Sequence, residues 1–140
     1  MQKHTIYLDH MATFTLTIEC NFAEFWRYNL IVTGAKFLRG QRNEFIKYVH
    51  EVAPIGSALP ECPKDYSRGS SVGLTFDGCD ALALYIYVLP HTMPRSRIIA
   101  DSKPFELHLT LSRDGETLYK RRHSIVQWVG DNIEIRYPAE

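Results

Sequence analysis

Between Pro104 and Tyr137 the chain reads PFELHLTLSRDGETLYKRRHSIVQWVGDNIEIRY, and no other stretch limits the fold as much. Phe105, Leu107, Leu109 and Leu111 alternate with Glu106, His108, Thr110 and Ser112. A period of two marks a strand with one buried and one wet face. Asp114-Gly115 follows as a hairpin signal, because a type I′ turn needs positive φ at both central residues. Gly130-Asp131-Asn132 makes a second polar turn into Ile133, Ile135 and Tyr137, which alternate again. Three strands with one apolar face open do not stand alone, so the rest of the chain has to supply a covering layer.

That layer is sought upstream. Phe14, Leu16, Ile18 and Cys20 alternate with Thr13, Thr15, Thr17 and Glu19, predicting a strand over Ala12 to Cys20. A short strand over Thr5 to Asp9 is expected to pair with it as a hairpin. Phe25 to Val32 predicts another strand, preceded by a helical turn that Asn21 would cap. Val72 to Phe76 predicts a short strand closed by Asp77-Gly78. Ala81 to Leu89 is apolar at both parities, which predicts a central strand covered on both sides. Gln41 to Val52 predicts a helix instead. Phe45, Ile46, Val49 and Val52 form one stripe, with Asn43 as cap, Pro54 as stop and a Glu44–Lys47 pair on the surface. Two long loops remain, Ala53 to Ser71 and Pro90 to Pro104. The expectation is a mainly β protein: an antiparallel β-sandwich or open barrel with one inserted amphipathic helix. The alternative is an α+β arrangement, the helix packed on an antiparallel sheet.

A chain of 140 residues fits one domain with a core of its own. Lys plus Arg and Asp plus Glu both number 16, which disfavours general nucleic-acid binding. The longest apolar run, Ala81 to Leu89, is too short to span a bilayer, so no integral membrane association is expected. No signal-peptide pattern follows Met1, and the chain as given reads as cytoplasmic. Cys20, Cys62 and Cys79 suggest no disulfide framework, no zinc-ligand spacing occurs, and no cofactor is implied.

Four features carry functional weight. Lys120-Arg121-Arg122-His123 places cations on both faces of a strand, which predicts an edge strand. That strand is the candidate recognition surface for an acidic protein partner or for a second copy. Pairing about the Asp114-Gly115 turn sets His108 near Arg121 and keeps His108 and His123 too far apart to share a metal. Arg95, Arg97, Ile98 and Ile99 lie in the second long loop, where two isoleucines flanked by cations either pack onto the sandwich rim or enter an anionic membrane surface or a partner's groove. Tyr85 and Tyr87 share one strand face, Trp26 and Tyr28 another. They form a core if those faces meet and an aromatic platform for a sugar or peptide if one is open. Cys79 enters a core strand between Asp77 and Asp80, acids that would raise its thiol pKa. The leading functional expectation is a non-catalytic protein-interaction or assembly module. Behind it stand a small-ligand or carbohydrate/peptide-binding domain and a small hydrolase-like enzyme using Cys79 or a His/carboxylate pair.

Overall fold

A computed structural model describes residues 12–139. The strand expected over Thr5 to Asp9 lies outside the described residues. Eight strands follow in order: β1 (Ala12–Glu19), β2 (Tyr28–Leu38), β3 (Gln41–His50), β4 (Ser71–Cys79), β5 (Ala81–Pro90), β6 (Phe105–Arg113), β7 (Glu116–Ile125) and β8 (Asp131–Tyr137). They form two four-stranded antiparallel sheets, β4-β1-β6-β7 and β3-β2-β5-β8. The alternations read from sequence set the core. Phe14, Leu16, Ile18, Leu107, Leu109 and Leu111 of the first sheet meet Leu30, Val32, Leu84, Ile86, Ile133 and Ile135 of the second in one apolar cluster. Each such side chain contributes about 1.5–3 kcal/mol on leaving water.

The inserted helix is not found, and with it goes the α+β alternative. Among the described residues the helical pieces are two three-residue 3-10 turns, Phe25–Arg27 and Ile99–Asp101. The first stands just after the turn expected to be capped by Asn21, and no side chain caps it. Gln41–His50 is a strand because the residues before it form a two-residue hairpin. Arg39 and Gly40 both have positive φ, 54° and 82°, as a type I′ turn requires. That turn pairs Leu38 with Gln41 and carries the chain back along β2. In extended form the helical stripe splits: Ile46 is buried, while Phe45 and Val49 point outward, 69% and 48% exposed. Asn43 is the extra residue of a bulge, with its amide donating to the Gly78 carbonyl at 2.8 Å. Glu44 pairs with Lys36 across the hairpin at 2.6 Å, not with Lys47.

The loops sort by end. Short turns at Arg39-Gly40 and Asp114-Gly115 close one end. Residues 20–27, 51–70, 91–104 and 126–130 close the other. Two buried arginines hold that second end together. Arg27, 1% exposed, donates from Nη2 to Gln127 Oε1 at 2.7 Å and from Nη1 to the Thr92 carbonyl at 3.4 Å. Glu24 lies 2.8 Å from its Nε as an ion pair. Arg68, 6% exposed, donates from Nη2 to the carbonyls of Phe25 and Tyr28, both at 2.8 Å, with its guanidinium 4.3 Å from the centre of the Phe25 ring.

Candidate functional site

The two sheets differ on their outer faces. The outer face of β4-β1-β6-β7 carries Thr13, Thr15, Thr17, Thr75, Thr110 and Ser112, the ordinary wet side of a sandwich. The outer face of β3-β2-β5-β8 is largely apolar along β2 and β5 and carries charges on its edge strands. β5 is the cause: it is apolar at both parities, and the first sheet covers only one of its faces. The covering expected on its other face is absent among the described residues, so Tyr85 and Tyr87 look outward while Tyr28 is in the core. The two aromatic faces therefore do not meet.

Strand register arranges this face in rows across β3, β2, β5 and β8: Val49–Ile31–Tyr87–Asn132, Lys47–Thr33–Tyr85–Glu134 and Phe45–Ala35–Ala83–Arg136. Small residues at the centre make a groove of about 480 Å³ floored by Gly34, Ala35 and Ala83 and walled by Phe45, Phe37 and Tyr85. Gly34 is required there, since a Cβ would collide with the Ala83 carbonyl. The bulge at Asn43 turns Arg42 onto the same face, with its guanidinium 4.4 Å from the centre of the Phe45 ring. Across the groove Arg136 pairs with Glu134 and donates to the Tyr85 hydroxyl at 3.0 Å.

β7 lies at an edge of its sheet. A register shift at Leu111/Ser112 moves the rungs from Leu111 back to Phe105 by one, so His108 faces Arg122 rather than Arg121. Lys120 and Arg122 consequently join His108, Thr110 and Glu19 around a trough of about 310 Å³ on the wet face. Arg121 and His123 fall on the opposite side, where Tyr119 Oη and His123 Nε2 are hydrogen-bonded at 2.8 Å. Burial lowers the His123 pKa, Asp131 opposes that shift and Arg121 adds to it. The run is thus divided between two surfaces. His108 and His123 lie on opposite faces of the sheet, and among the described residues no group of His, Cys, Asp and Glu is placed to hold a metal.

Arg95, Arg97, Ile98 and Ile99 all sit at the loop end, exposed. The rim-packing expectation fails for the isoleucines, which are 63% and 70% exposed. Cys79 enters the core as expected. Burial pushes its thiol up to about 11, with Lys36 pulling down and Asp80 and Asp77 pushing up. That direction is opposite to what a nucleophilic thiol needs. Cys20 is buried and shifted upward by the same cause, and Cys62 is exposed. His108 lies 3.6 Å from Glu106 on open strand surface, without an enclosed pocket around the pair.

Sequence reasoning misses part of this outer face because Phe45 and Val49, its β3 members, fit a helical stripe. The apolar run of β5 is plain in the sequence, but the choice of cover for its second face is tertiary information. Comparison of the chain with protein-family models, curated proteins and solved structures finds no match in any of the three.

Proposed function

We propose that the protein is a non-catalytic assembly module that pairs with a second copy of itself through the outer face of β3-β2-β5-β8. The observation that carries this reading is the contrast between the two outer faces, one polar throughout and one largely apolar along its two central strands. A sugar is the weaker occupant. Arg136 is engaged by Glu134 and Tyr85, and Arg42 is stacked on Phe45, so much of the groove's polar equipment is already in use. The remainder is small aliphatic residues between aromatic walls, a surface that suits a second sheet packed about 10 Å away.

Charge selects the second copy. In the row Lys47–Thr33–Tyr85–Glu134 a cation stands on one edge strand and an anion on the other. A two-fold axis lying in the interface, parallel to the strands and between β2 and β5, sets β3 of each copy over β8 of the other. Lys47 then meets Glu134 twice, and Phe45 meets Arg136 twice in the next row. A two-fold axis across the strands would set β3 on β3 and bring like charges together.

Sedimentation velocity at micromolar to high-micromolar concentration tests this. The parent chain is expected to be dimeric. Lys47→Glu and Glu134→Lys are each expected to weaken the dimer by roughly 100-fold or more, because like charges replace both opposite pairs. Mixed together, the two variants are expected to form a heterodimer that neither matches alone. A parent chain monomeric throughout, or a mixture no more associated than its components, overturns the reading.

The cationic edge strand supports a second, separate reading. Lys120 and Arg122 beside the trough on the wet face are placed to meet an acidic segment of another protein.

A further inference from the structure

Exposed large apolar side chains gather at the loop end: Ile55, Met93, Ile98, Ile99, Val126 and Val129. Single exposed apolar residues need no account, but a collection at one end does. Ile98 and Ile99 are adjacent at the tip of the loop between β5 and β6. Three of their four backbone groups are satisfied locally. Ser96 Oγ accepts from Ile98 N–H at 3.2 Å, the Ile98 carbonyl accepts from Asp101 N–H at 3.0 Å, and the Ile99 carbonyl accepts from Ser102 N–H at 3.0 Å. A tip built this way can leave water with few backbone groups unpaired.

The loop is also braced from below. Arg95 Nη2 donates to the Pro60 carbonyl at 3.0 Å, Leu59 N–H to Thr92 Oγ1 at 3.3 Å, and Gln127 Nε2 to the Lys103 carbonyl at 2.6 Å. These bonds hold the isoleucines outward. Arg95, Arg97 and Lys103 flank them on both sides. The loop's one acid, Asp101, accepts from Ser96 Oγ at 2.9 Å; Glu51, Glu61 and Asp65 belong to the neighbouring loop with Lys64, and Glu24 is paired with Arg27.

We infer that this end is a peripheral anchor for an anionic bilayer: Ile98 and Ile99 enter the interface while Arg95, Arg97 and Lys103 meet the lipid headgroups. A flat apolar face suits another folded surface, as on the β3-β2-β5-β8 sheet. An exposed apolar doublet in a loop that also carries Arg95, Arg97 and Lys103 suits a fluid one.

Co-sedimentation of the full chain with vesicles tests the inference, using phosphatidylcholine alone and phosphatidylcholine mixed with phosphatidylserine. Binding is expected to the mixed vesicles, to weaken with salt, and to be slight on the neutral ones. Ile98→Ser combined with Ile99→Ser is expected to lower partitioning by at least about tenfold, with the melting temperature unchanged because both side chains are exposed. Arg97→Gln is expected to lower it by about fivefold. A parent chain that sediments with neither vesicle, that binds both equally, or whose serine variant binds as well as the parent overturns the inference.

Discussion

His91 shows how a single buried side chain can set the acid limit of this fold. Its Nε2 lies 2.7 Å from the Trp26 carbonyl, which can only accept, so Nε2 carries the proton. Its Nδ1 then accepts from the Thr92 hydroxyl at 2.8 Å, and that hydroxyl oxygen accepts in turn from Leu59 N–H at 3.3 Å. The chain of donors fits the neutral ring and joins three loops. Burial lowers the His91 pKa below its usual 6.5; the Trp26 carbonyl and Glu51 oppose the shift, and Arg68 and Arg27 add to it. The unfolded chain therefore binds the proton first as pH falls. Stability is full above about 6.5 and is lost as pH drops through the lower folded value. His50, beside Arg68, and His123 are shifted in the same direction, also chiefly by burial. The melting temperature is expected to fall between about pH 7 and about pH 5, and His91→Gln is expected to flatten that dependence. Equal slopes for the parent and the glutamine variant would remove His91 from the account.

β3 is where element-level reasoning from sequence and the fold part company. Its apolar residues fit a helical stripe in spacing but fall on both faces of a strand, where only Ile46 is buried in the core and Tyr48 packs against it. The two readings differ sharply in energy. Ile46→Asp is expected to cost several kcal/mol, since it leaves an unpaired charge in the sandwich. Val49→Asp, which a helix packed on the core would make equally costly, is expected to stay within about 0.5 kcal/mol of the parent when both are compared as monomers, at concentrations below dimer formation. Chemical denaturation of both variants checks this, and a large loss in Val49→Asp would contradict the outward placement. The strands β1, β6 and β8 were legible because each has one wet face, which leaves a clean alternation. β7 was legible as an edge through its cations, but its register was not, because the bulge at Leu111/Ser112 has no sequence marker. β3 was illegible because its outer face is apolar, and that same property makes it part of the candidate interface. The turn that fixes β3 was visible only as Gly40, since a positive φ at Arg39 is not something an arginine announces.

At the scale of the whole molecule the assembly face and the loop end are linked by symmetry. A two-fold axis parallel to the strands leaves the strand direction unchanged, so both loop ends of a dimer point the same way. Two Ile98-Ile99 tips would then meet one bilayer, and the second would bind at the high effective concentration set by the first. An axis across the strands would send the tips in opposite directions, and such a dimer would bridge two vesicles. The charge rows favour the first arrangement, because only that arrangement sets Lys47 over Glu134. Lys47→Glu, on β3 and outside the loops, is therefore expected to lower partitioning onto phosphatidylserine-containing vesicles by about tenfold or more, to the level of a single tip. Adding an equal amount of Glu134→Lys is expected to restore it, while neither variant changes the loops themselves. Light scattering separates the two axes: the parent chain is expected to coat vesicles without clustering them. Clustering that disappears in Lys47→Glu would place the tips at opposite ends of the dimer and refute the strand-parallel axis. Vesicle affinity unchanged by Lys47→Glu would show that each chain reaches the bilayer singly.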